Sequence, residues 1–140
     1  EKAAKREVTN IEFHNAGFLT YEHTDIQADI VVTQLALHHL PDFWKIVALG
    51  RIYDILKPGG RFFLRDVTFS FDMKNYRKEL DVWLNTVKEA CSSVNCRNHI
   101  RDEYSTTSWL MEDMLKHTGF EIIDAEYTGG VFGAYLCKKM

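Results

Sequence analysis

The stretch from Asp29 to Val67 constrains the fold more than any other part of the chain. Asp29-Ile30-Val31-Val32-Thr33-Gln34 is a β-branched run without strict polar alternation. That pattern predicts a strand buried on both faces, the kind found in parallel sheets covered by helices. Pro41-Asp42 then opens a helix, because proline suits the first helical turn. Trp44, Val47, Ala48, Ile52, Ile55 and Leu56 recur at helical spacing and give it one apolar face. Lys57-Pro58-Gly59-Gly60 stops the helix and turns the chain, and Arg61-Phe62-Phe63-Leu64-Arg65-Asp66-Val67 reads as a second strand. A strand, helix, turn and strand in this order predict two neighbouring parallel strands joined by a helical crossover.

The flanking segments add elements on both sides. Residues 1–7 are good helix formers and read as the tail of a helix that began upstream. Asn10-Ile11-Glu12-Phe13-His14 reads as a strand, turned by Asn15-Ala16-Gly17. Beyond Phe71, Asp72 can cap a long helix with Met73, Tyr76, Leu80, Trp83, Leu84 and Val87 as its stripe. Residues 91–105 are polar and predicted to form a loop. Thr107 can cap a further helix carrying Leu110, Met111, Met114 and Leu115, which ends at Gly119. Two strands follow, Phe120–Ala125 and Gly133–Cys137. The short Thr128-Gly129-Gly130 turn between them requires an antiparallel pair.

Composition excludes several classes. The chain has 140 residues, 46% hydrophobic and 26% charged, which is too apolar for disorder and suits one domain or part of one. A net charge of -3 leaves no basic footprint for nucleic acid and no polybasic membrane patch. No apolar run approaches the roughly 20 residues needed to span a bilayer, and the hydrophilic N-terminus has no signal-peptide pattern. Cys91, Cys96 and Cys137 fit neither a zinc site nor a secreted disulfide framework, so the reading is a reducing, cytoplasmic setting.

Two strings in register carry a resemblance. The first runs from Ala28-Asp29-Ile30-Val31-Val32-Thr33-Gln34 through Leu35-Ala36-Leu37-His38-His39-Leu40-Pro41-Asp42. The second runs from Arg51-Ile52-Tyr53-Asp54-Ile55 through Leu56-Lys57-Pro58-Gly59-Gly60-Arg61. With Leu115-Lys116-His117-Thr118-Gly119-Phe120-Glu121 further on, the chain resembles class I S-adenosylmethionine-dependent methyltransferases of the small-molecule type, over the C-terminal part of their domain. The resemblance implies an α/β fold: a Rossmann-like, mainly parallel sheet with an antiparallel last strand, its N-terminal strands missing. On this reading residues 1–140 are a partial methyltransferase domain, and 72–105 are a substrate-covering insertion. The glycine-rich turn after the family's first strand and the acidic residue after its second do not occur here. The implied activity is methyl transfer from S-adenosylmethionine to a small-molecule acceptor by the intact parent. The alternative is a non-catalytic, methyltransferase-like fragment or partner subunit that acts through protein contacts.

The resemblance also assigns residues. Gly17 stands where the family often has an aspartate facing the adenine, so contact there falls to the Phe18 backbone. Gln34, Leu35 and Ala36 leave the strand at the end where open α/β sheets bind ligands, beside the methionine part of the cofactor. His38 and His39 are the catalytic candidates, since a histidine can take a proton from an acceptor near neutral pH. Adjacent residues of a regular element face different ways, so one of the two is expected to reach the site. Asp66 could orient an acceptor or form a surface salt bridge with Arg65 or Arg61. Phe71, Tyr76, Trp83 and Trp109 could line an acceptor pocket or simply pack. Gly129-Gly130-Val131-Phe132-Gly133 precedes a strand, not a helix, so it reads as a turn and not a phosphate loop. His14, His23, His99 and His117 are scattered, and no spacing converges on a metal. Without the family's first two strands, the Ala28–Gln34 strand would present an open edge. Such an edge predicts dimerisation, domain swapping or a loosely held N-terminal segment.

Overall fold

The structure is a computed structural model that describes residues 9–24, 26–87 and 93–140, without the side chains of 93–95 and 99. In chain order the elements are β1 (Ala28–Gln34), a 3-10 turn (Leu37–His39), α1 (Asp42–Ile55), β2 (Leu56–Phe69), a 3-10 turn (Met73–Asn75) and α2 (Tyr76–Val87). They continue with α3 (Ser93–Asp102), β3 (Thr106–Thr107), α4 (Ser108–His117), β4 (Phe120–Thr128) and β5 (Phe132–Lys139).

The sheet order is β1-β2-β5-β4, with β3 pairing β2. β1 and β2 are parallel, with Val31 opposite Phe62 and Thr33 opposite Leu64. β5 is antiparallel to both β2 and β4, so every other strand runs one way and the last strand inserts between them in reverse. The parallel pair bridged by α1, and the antiparallel final strand, are as the sequence predicts.

Inward residues of the sheet alternate in register. Phe62 and Leu64 of β2, Tyr135 and Cys137 of β5 and Phe120 of β4 face Ala48, Leu49 and Ile52 of α1 and Met111, Met114 and Leu115 of α4. Each of these side chains is buried, and together they form the core. Burial also pushes the Cys137 thiol up to about 12, because a thiolate loses its hydration there. The opposite face of the sheet is open at its β1 end among the described residues. Ile30 and Val32 are 64% and 63% exposed, and Val32, Phe63 and Leu136 stand in one cross-strand row. The expected burial of β1 on both faces is therefore corrected: one face packs, while the other face and the outer edge are open.

Other expectations change as well. Residues 10–14 form no strand, because no neighbouring strand among the described residues offers them hydrogen bonds. The following turn is held instead by Arg51 of α1. Its Nε donates to the Phe18 carbonyl at 3.1 Å and its Nη2 donates to the Tyr21 carbonyl. Lys57–Gly60 lies inside β2 as a bulge, since Ala28 pairs with Leu56 and the next pair is Ile30 with Arg61. Gly59 takes φ +77° there, and a Cβ on Gly60 would sit 2.9 Å from the Lys57 carbonyl oxygen. The predicted 91–105 loop contains the helix α3; its polar composition hid a helix that packs little apolar surface. Asp72 caps the Met73–Asn75 3-10 turn that leads into α2, rather than the long helix expected, accepting from the Lys74 N–H at 2.9 Å. Thr107 stands at the N-cap of α4 without a side-chain cap bond. Cys96 is disulfide-bonded and Cys137 is free, so the cysteine count loses its force as an argument for a reducing compartment. The expected helix tail at 1–7, and Cys91, lie outside the described residues.

Candidate functional site

The C-terminal ends of β1 and β2 meet at one crest. Leu35 leaves β1 with φ +50°, and its N–H donates to the Arg65 carbonyl at 2.8 Å. That left-handed step reverses the chain into the Leu37–His39 turn. The turn is anchored from below by Asp66 of β2. The Asp66 carboxylate accepts from the backbone N–H of Leu37 at 2.7 Å, of His38 at 3.2 Å and of Val67 at 2.8 Å. It also contacts His38 Nδ1. Asp66 is fully buried, so the expected surface salt bridge with Arg61 or Arg65 does not form; Arg65 lies over the Phe132 ring instead.

The other wall of the crest comes from the segment after α3. Glu103 Oε2 lies 2.8 Å from His38 Nε2 and 3.5 Å from His39 Nδ1. The segment is fixed by its backbone. The Tyr104 N–H donates to the His38 carbonyl at 2.9 Å, and the buried Lys45 ammonium donates to the Tyr104 carbonyl and, at 2.7 Å, to Asp42. Both histidines thus reach one carboxylate, contrary to the expectation for adjacent residues. The reason is local: they occupy a tight 3-10 turn and use different ring nitrogens. His38 is 4% exposed, whereas the His39 side chain is 60% exposed.

The remaining expected residues divide between two places. Gln34, Leu35 and Ala36 lie at the crest. Gly17 and Phe18 line an open cleft of about 820 Å³ beside β1, together with Ile30, Val32, Arg51 and Ile52. Of the aromatic candidates, Tyr76 and Trp109 are exposed and Trp83 lies on α2, away from this cleft. Sequence reasoning missed Glu103 and Lys45. Glu103 sits in a polar stretch with no spacing relation to the histidines, and Lys45 interrupts the apolar stripe of α1 like any surface lysine. Among the described residues, no helix is long and apolar enough to cross a membrane.

The chain has clear relatives. A family model described as methyltransferase domain matches residues 1–123. The uncharacterized protein YafE of Escherichia coli K12 is 30% identical over 106 residues, covering 76% of this chain and 48% of that protein. An uncharacterized methyltransferase of Anoxybacillus flavithermus is 25% identical over 119 residues, covering 85% of this chain and 53% of that one. The chain thus spans about half the length of these curated relatives. Among solved structures, human N-acetylserotonin methyltransferase in complex with SAM aligns at TM-score 0.60 and 20% identity, over 99% of this chain and 37% of that one. An O-methyltransferase family 2 protein of Planctomyces limnophilus, in complex with apigenin, aligns at TM-score 0.65 and 14% identity, over 99% and 38%. At these identities the likeness is one of fold.

Proposed function

This chain belongs to the methyltransferase domain family, and on that premise we propose that the intact protein transfers a methyl group from S-adenosylmethionine to a small-molecule acceptor. The observation that carries this reading is the crest itself, where the ends of two parallel strands bring His38, Asp66 and Glu103 together. Open α/β sheets bind ligands at such strand ends.

S-adenosylmethionine supplies a methyl group already activated on a sulfonium. The protein's task is to align the acceptor and exclude water, and such positioning is worth roughly 7–11 kcal/mol. The cleft beside β1 has the volume of a small-molecule site. Its apolar Ile30 and Val32 and the unpaired backbone groups of the β1 edge suit a ligand with both apolar and polar parts. Gly17 and Phe18 face the adenine end of that ligand. Gln34, Leu35 and Ala36 face its methionine end.

His38 takes the proton from an acceptor hydroxyl or amine. Asp66 holds the Nδ1 side of the ring and Glu103 Oε2 meets Nε2 at 2.8 Å, so the His38–Glu103 pair takes up the proton together. His39, more exposed, orients the acceptor from the same turn. Residues 72–105 cover the acceptor, and their last residues reach the crest through Glu103. The open edge and bare face of β1 are where the rest of the parent enzyme, or a second copy of this chain, packs.

Calorimetric titration of S-adenosylmethionine into residues 1–140 and into the parent extended at its N-terminus tests the proposal. The expected result is binding by the longer form and weak or no binding by the shorter. Binding by neither would overturn it, in favour of a non-catalytic, methyltransferase-like subunit that works through protein contacts.

A further inference from the structure

The crest has the geometry of a metal site. His38 Nε2, His39 Nδ1 and Glu103 Oε2 all lie within 4.8 Å of one another. Two donors on one tetrahedral zinc ion, bonded at about 2.0–2.2 Å, stand roughly 3.3 Å apart. The two distances to Glu103 Oε2, 2.8 Å from His38 and 3.5 Å from His39, bracket that value. Small side-chain shifts would bring all three donors onto a common ion.

The surroundings match what such a site needs. A metal-bound histidine usually gives its other ring nitrogen to a carboxylate, which fixes the tautomer and strengthens the donor. Asp66 does this for His38, and is itself held by three backbone N–H groups. The backbone that carries Glu103 is held by main-chain acceptors: the Tyr104 N–H donates to the His38 carbonyl, and Lys45 donates to the Tyr104 carbonyl. The ligand-bearing residues are thus held in place by groups other than the ligands, the condition for a preorganised site. The exposed side of His39 leaves one direction open to water.

The geometry points to a divalent-metal site formed by His38, His39 and Glu103, selective for zinc and similar first-row ions. Two imidazoles and one carboxylate with an open position suit zinc and its neighbours; magnesium and calcium prefer oxygen-only sets. Binding at this site is independent of the methyl-transfer reading. If both hold, metal occupancy and proton acceptance exclude one another, since both use the facing atoms of His38 and Glu103.

The test is titration of zinc chloride into the metal-stripped chain against a chromogenic chelator, with parallel runs in magnesium chloride. About one zinc ion per chain is expected, without comparable magnesium uptake. His39→Ala and Glu103→Gln should each weaken zinc binding at least about 10-fold, while His23→Ala leaves it unchanged. Both ligand variants alter accessible side chains, and unchanged circular dichroism and melting would show that they fold. No zinc uptake by the wild type, or affinities unchanged in both ligand variants, overturns the assignment.

Discussion

Asp66 is the residue on which the crest depends. One carboxylate accepts from three backbone N–H groups and contacts His38, all in a fully buried position. Removing it leaves those donors without acceptors inside the protein, and an unsatisfied buried group costs more than a hydrogen bond gains. Asp66→Ala should therefore lower unfolding free energy by about 3–5 kcal/mol, as for other broken buried pairs. Asp66→Asn keeps the shape and one acceptor oxygen and should recover part of that loss. Urea unfolding followed by tryptophan fluorescence would measure both; a loss near zero for the alanine variant would mean that the Leu37–His39 turn is held by something else. Asp66 itself was readable from the sequence as a polar residue at a strand end. That it faces inward follows from the period of β2, in which Phe62, Leu64 and Asp66 share one side.

At the scale of elements, the β1–α1–β2 unit depends on how its two strands meet at their lower end. The four residues between Leu56 and Arg61 bulge out of the ladder, and a Cβ on Gly60 would meet the Lys57 carbonyl oxygen at 2.9 Å and the Asp29 carbonyl oxygen at 3.2 Å. Backbone oxygens cannot swing aside as a flexible side chain can. Gly60→Ala should thus force the strands apart and destabilise by about 1–3 kcal/mol, the usual scale of overpacking. Thermal melting would report it, and an unchanged melting temperature would show that the bulge yields freely. Lys57-Pro58-Gly59-Gly60 was legible as a helix stop, and α1 does end at Ile55. Its place inside a strand was not legible, because that depends on the partner strand. The polar α3 was missed for another reason: its few apolar residues make so polar a stretch read as a loop.

The described residues carry their core on one face of the sheet and leave the other face open at the β1 end. Exposed rows of large apolar side chains on an unpaired edge strand favour association with another strand or sheet. Residues 1–140 by themselves should self-associate with rising concentration. Val32→Lys, which puts a charge on the bare face without touching the core, should shift the equilibrium toward monomer in analytical ultracentrifugation. A wild-type chain that stays monomeric at high concentration would mean that the open face is masked. The same openness accounts for the expected weak cofactor binding of this chain: the cleft between the 12–23 segment, β1 and α1 is open to solvent.

The order and direction of the elements around the crossover, the reversed last strand and the two histidines at the strand end were legible in the residue order alone. Those are local or periodic properties: β-branching, helical spacing, glycine and proline punctuation, and a turn too short for anything but an antiparallel pair. That both histidines share one carboxylate, that the carboxylate belongs to Glu103, and that Lys45 is buried to hold its segment emerge only from the folded chain. These are contacts between residues far apart in the chain, and no sequence period records which polar side chains the folded backbone brings within 3 Å.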